Sequence, residues 1–300
     1  MRIGIDLGGT KIEAIVLDDD GAQVVRERIT APRGNYTATL DAISGLIDTV
    51  DPAPDERAPV GVGIPGTVSP ATGLVKNANS TWLIGHPFDR DLSVRLDRPV
   101  RVANDANCFA ISEAVDGAGR SCDVVFGVIL GTGVGSGIVV NRQIVTGRNA
   151  IAGEWGHTPL PWMRADEHPG PDCYCGLAGC IESFVSGPAF ERRFAQDTGR
   201  NLPAAEIARA ALSDDSAAAH ALDELEDRIA RSLTAVINIL DPDVIVLGGG
   251  LSNIDRLYEN LPGLIAKYAF SDAIDTPVIR AVHGDSGGVR GAAWLWPDKT

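Results

Sequence analysis

Residues 4–10 read Gly-Ile-Asp-Leu-Gly-Gly-Thr, and residues 127–133 read Gly-Val-Ile-Leu-Gly-Thr-Gly. Each is a short apolar run ending in a glycine turn. Each is followed by a second apolar run, KIEAIVLD at 11–18 and GIVV at 137–140. Strand, tight turn and returning strand spell a hairpin. A hairpin-opening α/β unit that occurs in both halves of a chain predicts two similar domains facing each other. At 300 residues the chain exceeds one typical domain, which fits that prediction.

The remaining elements follow from periodicity. Strands are expected at 2–7, 11–18 and 22–30, and a helix at 36–50 through Leu40, Ile43, Leu46, Ile47 and Val50. A strand at 60–64 leads into an irregular loop reaching about residue 87, then a short helix and a strand at 100–103. Asn104 and Asp105 stand where that strand stops and a helix over 106–116 begins. Asp51-Pro-Ala-Pro-Asp-Glu reads as a surface loop. In the second half, helices are expected near 187–197, 203–212 and 218–240. The buried strand Val244–Leu247 runs into Gly248-Gly249-Gly250 and a helix, and a strand near 277–282 and a short helix around 287–296 close the chain.

Composition narrows the partners. Lys and Arg number 26 against 40 Asp and Glu, a net charge of −14, which argues against nucleic acid and anionic membranes as ligands. The N-terminus MRIGIDLGGTK lacks the long apolar run of a signal peptide, and no apolar stretch is long enough to span a bilayer. Five cysteines, an odd number, without a secretion signal point to reduced thiols and a cytoplasmic protein.

Glycine turns at strand ends leave backbone N–H groups open to an anion. In Asp6-Leu-Gly8-Gly9-Thr10-Lys11 a carboxylate and a hydroxyl join that geometry, which suits a phosphate bridged by Mg²⁺ as well as it suits a plain tight hairpin. The loop Gly131-Thr132-Gly133-Val-Gly135-Ser-Gly137 is not a dinucleotide fingerprint, because Ser136 stands where the third glycine belongs and β-type sequence follows. A P-loop is excluded because no Gly-Lys-Ser/Thr occurs. Gly248-Gly249-Gly250 allows either a flexible helix entry or a flat base lying against the backbone. Asn104-Asp105 suits a helix N-cap and equally a general base whose ionised form the helix N-terminus favours.

Cys173-Tyr-Cys175-Gly-Leu-Ala-Gly-Cys180-Ile-Glu182 places three cysteines within eight residues. A closed zinc site takes four ligands, so a Cys₃His site needs His157, in Glu154-Trp-Gly-His157, or His168. A disulfide between Cys173 and Cys175 is sterically poor.

DLGGTK at 6–11, GIPG at 63–66, AND at 103–105, GTGVGSG at 131–137, ExGH at 154–157, CxCGxxGC at 173–180 and VIVLGGG at 244–250 together resemble the ROK family (repressors, open reading frames, kinases) over nearly the whole chain. Within it, KNANSTW at 76–82, GEWGHTPLPWM at 153–163 and HGDSGGVRGAAWLWP at 283–297 look most like fructokinases of the manno(fructo)kinase type. The resemblance implies a two-domain α/β fold of the actin-like ATPase and sugar-kinase type, ribonuclease H-like, with a cleft between domains. The division expected is 1–116, completed by the C-terminal helix at about 287–300, and 117–286. The implied activity is transfer of the γ-phosphoryl of Mg·ATP to the 6-hydroxyl of fructose. Mannose, glucose or an N-acetylhexosamine are the alternative substrates, and a sugar-responsive regulator is the alternative class, against which the absence of room for a helix-turn-helix ahead of residue 4 speaks.

The same resemblance assigns roles. Asp105 looks like the catalytic base. Asn104, Glu154, His157 and Glu182, with Pro65, Gly66 and Asn79, look like sugar ligands. Asp6, Gly8, Gly9, Thr10, Lys11, Gly131, Thr132, Gly133, Gly135 and Gly248–Gly250 look like the ATP and Mg²⁺ site. His157, Cys173, Cys175 and Cys180 look like ligands of a structural Zn²⁺, although the spacer between His157 and Cys173 is longer than in many members and holds His168. The metal would tie His157 to the segment that delivers Glu182 and leave the second imidazole N–H directed outward. A homodimer is the family expectation.

Overall fold

In the computed structural model, which describes residues 1–54 and 57–296, the first glycine turn closes the expected hairpin. β1 (Arg2–Leu7) pairs antiparallel with β2 (Lys11–Leu17), setting Asp6 opposite Glu13, and β2 pairs antiparallel with β3 (Gln23–Thr30). β4 (Val60–Ile64) and β7 (Val100–Asn104) add in parallel, so the sheet reads β3-β2-β1-β4-β7. Helix α1 (Tyr36–Val50) begins where the Asn35 side chain accepts the N–H of Ala38, and it buries Leu40, Ile43, Leu46, Ile47 and Val50, the predicted stripe.

The loop expected to be irregular up to residue 87 contains a small hairpin, β5 (Thr67–Val68) with β6 (Val75–Lys76), followed by helix α2 (Phe88–Leu96). Two-residue strands show no alternation to detect. Helix α3 (Asp105–Val115) starts one residue before the expected 106.

The second sheet reads β10-β9-β8-β11-β12, from β8 (Val124–Leu130), β9 (Val134–Val140), β10 (Gln143–Ile144), β11 (Val244–Gly248) and β12 (Val278–Arg280). β11 is wholly buried and runs parallel to both β8 and β12, as its unbroken apolar sequence requires. Helices α4 (Glu182–Val185), α5 (Gly187–Thr198), α6 (Ala204–Ala210), α7 (Ser216–Leu240) and α8 (Asp255–Tyr268) follow. Gly248-Gly249-Gly250 leads into a 3₁₀ turn over Gly250–Asn253, with α8 beginning only at Asp255.

The chain groups into one unit of Met1–Ser121, Gly137–Ala152 and the segment from Val282 on, and another of Cys122–Ser136 and Gly153–Ala281. Residues 137–152, counted in the second domain from sequence, thus belong with the first unit. Contact explains it, because a side chain at Gly137 would lie 2.7 Å from the Ala110 methyl and 2.8 Å from the Ala106 carbonyl on α3.

Helix α9 (Gly287–Ala293) packs on β1, β4 and α3 in the first unit. Gly4 and Gly61 permit this, since a Cβ on either would collide with the backbone of α9. Of the predicted surface loop, Asp55 and Glu56 lie outside the described residues, as do residues 297–300 of the expected C-terminal segment.

Candidate functional site

In the first unit the glycine turn is closed by Gly8 N–H donating to the Lys11 carbonyl at 2.9 Å, with Gly9 and Thr10 exposed at its tip. Arg33 braces it from outside by donating to the Gly9 carbonyl at 2.7 Å. Asp6, at the end of β1, lies against the backbones of Gly63 and Gly288, where an added Cβ would stand 3.6 and 3.5 Å from its carboxyl. Burial, then the like charges of Asp105 and Glu13, raise the Asp6 carboxyl to about 7. A carboxyl held this far from its ordinary value is a natural place for a cation, which would restore its ionised form.

Both side chains of Asn104-Asp105 turn to the start of α3. The Asn104 side chain takes the capping role, accepting the Ala106 N–H at 2.9 Å while its amide donates to the Gly66 carbonyl at 3.2 Å. Asp105 is the first residue of α3, exposed, with one carboxylate oxygen on the same Ala106 N–H at 2.8 Å. The side-chain amide thereby joins Asn104 to the Pro65-Gly66 turn, whose Gly66 has φ 78°, where a side chain is strained and would strike the Lys76 carbonyl. Asn79 is exposed beside Ser80. Sequence reasoning missed Ser80. It is 1% exposed, its hydroxyl has no hydrogen-bond partner among the described residues, and that hydroxyl sits 3.9 Å from where a Cβ of Gly9 would be. A buried donor left without a partner is costly, and nothing in the polar run around it distinguishes it beforehand.

In the second unit, Gly131 donates to the Gly133 carbonyl at 3.0 Å, and the Gly187 N–H returns to the Gly131 carbonyl at 2.9 Å. Glu182, opening α4, accepts the Val134 N–H at 2.8 Å, and a side chain at Gly133 would push that carboxylate aside, since its Cβ would lie 2.7 Å away. Thr132 is exposed and Gly135 half-buried on the same loop and strand. Gly249, at φ 81°, leaves only 2.5 Å between a would-be Cβ and the Leu130 carbonyl, while the space beside Gly250 is open. Gly248 ends β11 in the core.

The segment after Glu154 folds back on this loop. Ser136 donates to the Gly153 carbonyl at 2.6 Å, and Trp155 is buried, edge-on to Phe126 and donating to the Ser232 carbonyl on α7. Leu160 and Ile181 then exchange backbone bonds with Gly179 and Thr158, both at 2.9 Å, so the Glu154–His157 turn and the Cys180–Glu182 segment run side by side.

His157, Cys173, Cys175 and Cys180 offer ligand atoms that all lie within 4.8 Å of one another, and His168 is not among them. His157 Nδ1 is 3.5 Å from Cys173 Sγ, and Cys175 Sγ is 3.6 Å from Cys180 Sγ. A tetrahedral ion with Zn–S near 2.3 Å and Zn–N near 2.0–2.1 Å sets such atoms about 3.5–3.8 Å apart, so the four residues fit zinc. Burial pushes the Cys180 thiol up to about 12, whereas the Leu177 N–H holds exposed Cys175 below its ordinary value. The outward His157 nitrogen, Nε2, meets the Tyr174 hydroxyl at 2.8 Å, a contact sequence reasoning missed although Tyr174 lies inside the cysteine motif.

The long spacer has its own anchor. Glu167, its side chain fully buried, binds Arg228 at 2.8 Å and Arg231 at 2.7 Å, both on α7. Burial alone would raise this carboxyl, but hydrogen bonds from Arg231, the Arg164 N–H and Arg228 overcome it and leave it at about 2. Among the described residues no helix is long and apolar enough to cross a membrane.

The ROK family model matches residues 2–299 of the chain. The N-acetyl-D-glucosamine kinase of Pectobacterium atrosepticum is 42% identical over 299 residues, covering 98% of this chain and 98% of that protein. Among solved structures, the ROK hexokinase of Thermus thermophilus superposes with a TM-score of 0.86 at 28% identity, covering 98% of this chain and 96% of that one. A ROK family glucokinase from Streptomyces griseus, solved in complex with glucose and AMPPNP, superposes with a TM-score of 0.77 at 26% identity over 99% of each chain.

Proposed function

The chain belongs to the ROK family and has its two-domain α/β fold of the actin-like ATPase type, and on that premise we propose that it is an ATP-dependent kinase of hexoses or hexosamines, acting on the 6-hydroxyl of N-acetyl-D-glucosamine. The observation that carries the substrate is the 42% identity, end to end, with a relative named for that sugar. The fructose specificity expected from short motifs has no such support. Two of those three motifs surround proposed sugar ligands, Asn79 in one and Glu154 with His157 in the other, and the third, 283–297, holds none, whereas discrimination rests on pocket shape.

Asp105 is the proposed general base, taking the proton from the sugar hydroxyl, and the cap made by Asn104 supports this by setting Asp105 at the start of α3. Asp6, with the Gly8–Lys11 turn, would hold Mg²⁺ arriving with ATP, which neutralises charge on the phosphoryl group being transferred. The Gly131–Gly135 loop would meet phosphate oxygens, and the open backbone at Gly250 the adenosine. Asn104, Glu154, His157, Glu182, Pro65, Gly66 and Asn79 are the proposed sugar ligands. His157, Cys173, Cys175 and Cys180 would hold a structural zinc ion that fixes two of them and takes no part in the chemistry.

The test is ADP release measured over a panel of N-acetyl-D-glucosamine, N-acetyl-D-mannosamine, glucose, mannose and fructose. The highest kcat/KM is expected with N-acetyl-D-glucosamine. A preference for fructose would overturn the substrate and keep the kinase, and no turnover with any sugar would overturn both.

A further inference from the structure

We propose that the Tyr174 hydroxyl occupies the sugar-facing nitrogen of His157, so that sugar must displace it to bind and Tyr174 tunes affinity and selectivity. The inference rests on the sugar-kinase reading above.

An imidazole has two ring nitrogens and no third polar atom. In His157, Nδ1 faces the cysteines, 3.5 Å from Cys173 Sγ. Only Nε2 remains for a ligand, and the Tyr174 hydroxyl is already on it at 2.8 Å. The rings stand edge to face, 5.0 Å apart with planes at 87°, which directs the phenol oxygen at the edge of the imidazole. One N–H makes one good hydrogen bond, so a sugar hydroxyl and the tyrosine hydroxyl compete for it.

The surroundings make this contact reversible. The backbone of Tyr174 is pinned, because the Gly176 N–H binds the Cys173 carbonyl at 3.0 Å and the Cys173 N–H binds the Leu177 carbonyl at 2.8 Å. Its side chain is not, being 73% exposed. Rotation about the side-chain torsions would release Nε2 without moving the cysteines. Since the ring stands beside His157, bulk carried by a sugar on the carbon nearest His157 would decide how far the tyrosine must swing, which is how selectivity would enter.

Tyr174→Phe removes the competing hydroxyl and keeps the ring. Calorimetric titration of the whole protein with N-acetyl-D-glucosamine should then give a Kd about two- to tenfold lower than wild type, the worth of one exposed neutral hydrogen bond. The gain should appear in KM and not in kcat, and the metal content per chain should match wild type. The ¹⁵N resonance of His157 Nε2 in the sugar-free protein should move on substitution, because its partner is gone. An unchanged or higher Kd in Tyr174→Phe, with wild type binding normally, overturns the inference and leaves the kinase reading standing. A higher Kd would specifically make the hydroxyl a sugar ligand. Wild-type protein that binds no sugar in the panel overturns both.

Discussion

Replacing Asp6 by asparagine should stabilise the protein above pH 7 while abolishing sugar phosphorylation. The Asp6 carboxyl titrates at about 7 in the fold against an ordinary 3.8, mainly through burial and then through Asp105 and Glu13. A difference of about three pH units corresponds to ~4 kcal/mol at 1.36 kcal/mol per unit. The sign follows from proton counting. Between 3.8 and about 7 the folded chain keeps a proton that the unfolded chain has lost, so this group makes stability fall as pH rises, and the loss is complete above 7. Asparagine keeps the shape and never ionises. The stability advantage of Asp6→Asn should therefore widen by about 2–3 kcal/mol between pH 5 and pH 8 and then level off. Urea unfolding of both proteins at half-unit intervals would measure it, and Asp105→Asn should shrink the effect by removing the second-largest cause. An advantage independent of pH, or a variant less stable than wild type at pH 8, would refute the account of Asp6 as a buried carboxyl awaiting a cation.

Asp105→Asn should cost at least ~10² in kcat with sugar affinity retained, and turnover within about tenfold of wild type would leave Asp105 no more than a helix-start residue. Cys175→Ala should lose the metal and raise KM for sugar, with ATP affinity changed much less; elemental analysis should find about one zinc per chain in wild type, and a fully active metal-free protein would sink the site. His168→Ala should retain that zinc and His157→Ala should not, as the same elemental analysis would report. Glu167→Ala should destabilise the second unit by about 1–3 kcal/mol, because Arg228 and Arg231 would lose a buried partner while keeping Glu224 and Asp227 respectively. With its carboxyl lowered from 4.5 to about 2, wild-type stability from Glu167 should be present above pH 4.5 and lost as pH falls towards 2, a fall absent in the variant when both are melted across that range.

The sequence by itself determined the hairpins at both glycine turns, the helix at 36–50 and the buried strand at 244–248, because each rests on local periodicity or on turn geometry that few residues permit. It also brought the four metal-fitting residues into view as a set of types, since three cysteines in eight residues have few other uses. It could not choose between cap and base at Asn104-Asp105, because both readings use the same residues at the same helix start. The fold puts both side chains on the Ala106 N–H and gives Asn104 a second partner in the Gly66 carbonyl. The raised Asp6 carboxyl, the orphaned Ser80 hydroxyl and the Glu167 anchor were equally hidden, since each depends on what segments far along the chain bring to it. The same holds for residues 137–152, whose place with the first unit depends on a glycine at 137 that fits against α3. Periodicity and turn chemistry are written in neighbouring residues, whereas burial, charge coupling and partner choice belong to contacts between distant ones, and those exist only once the chain has folded.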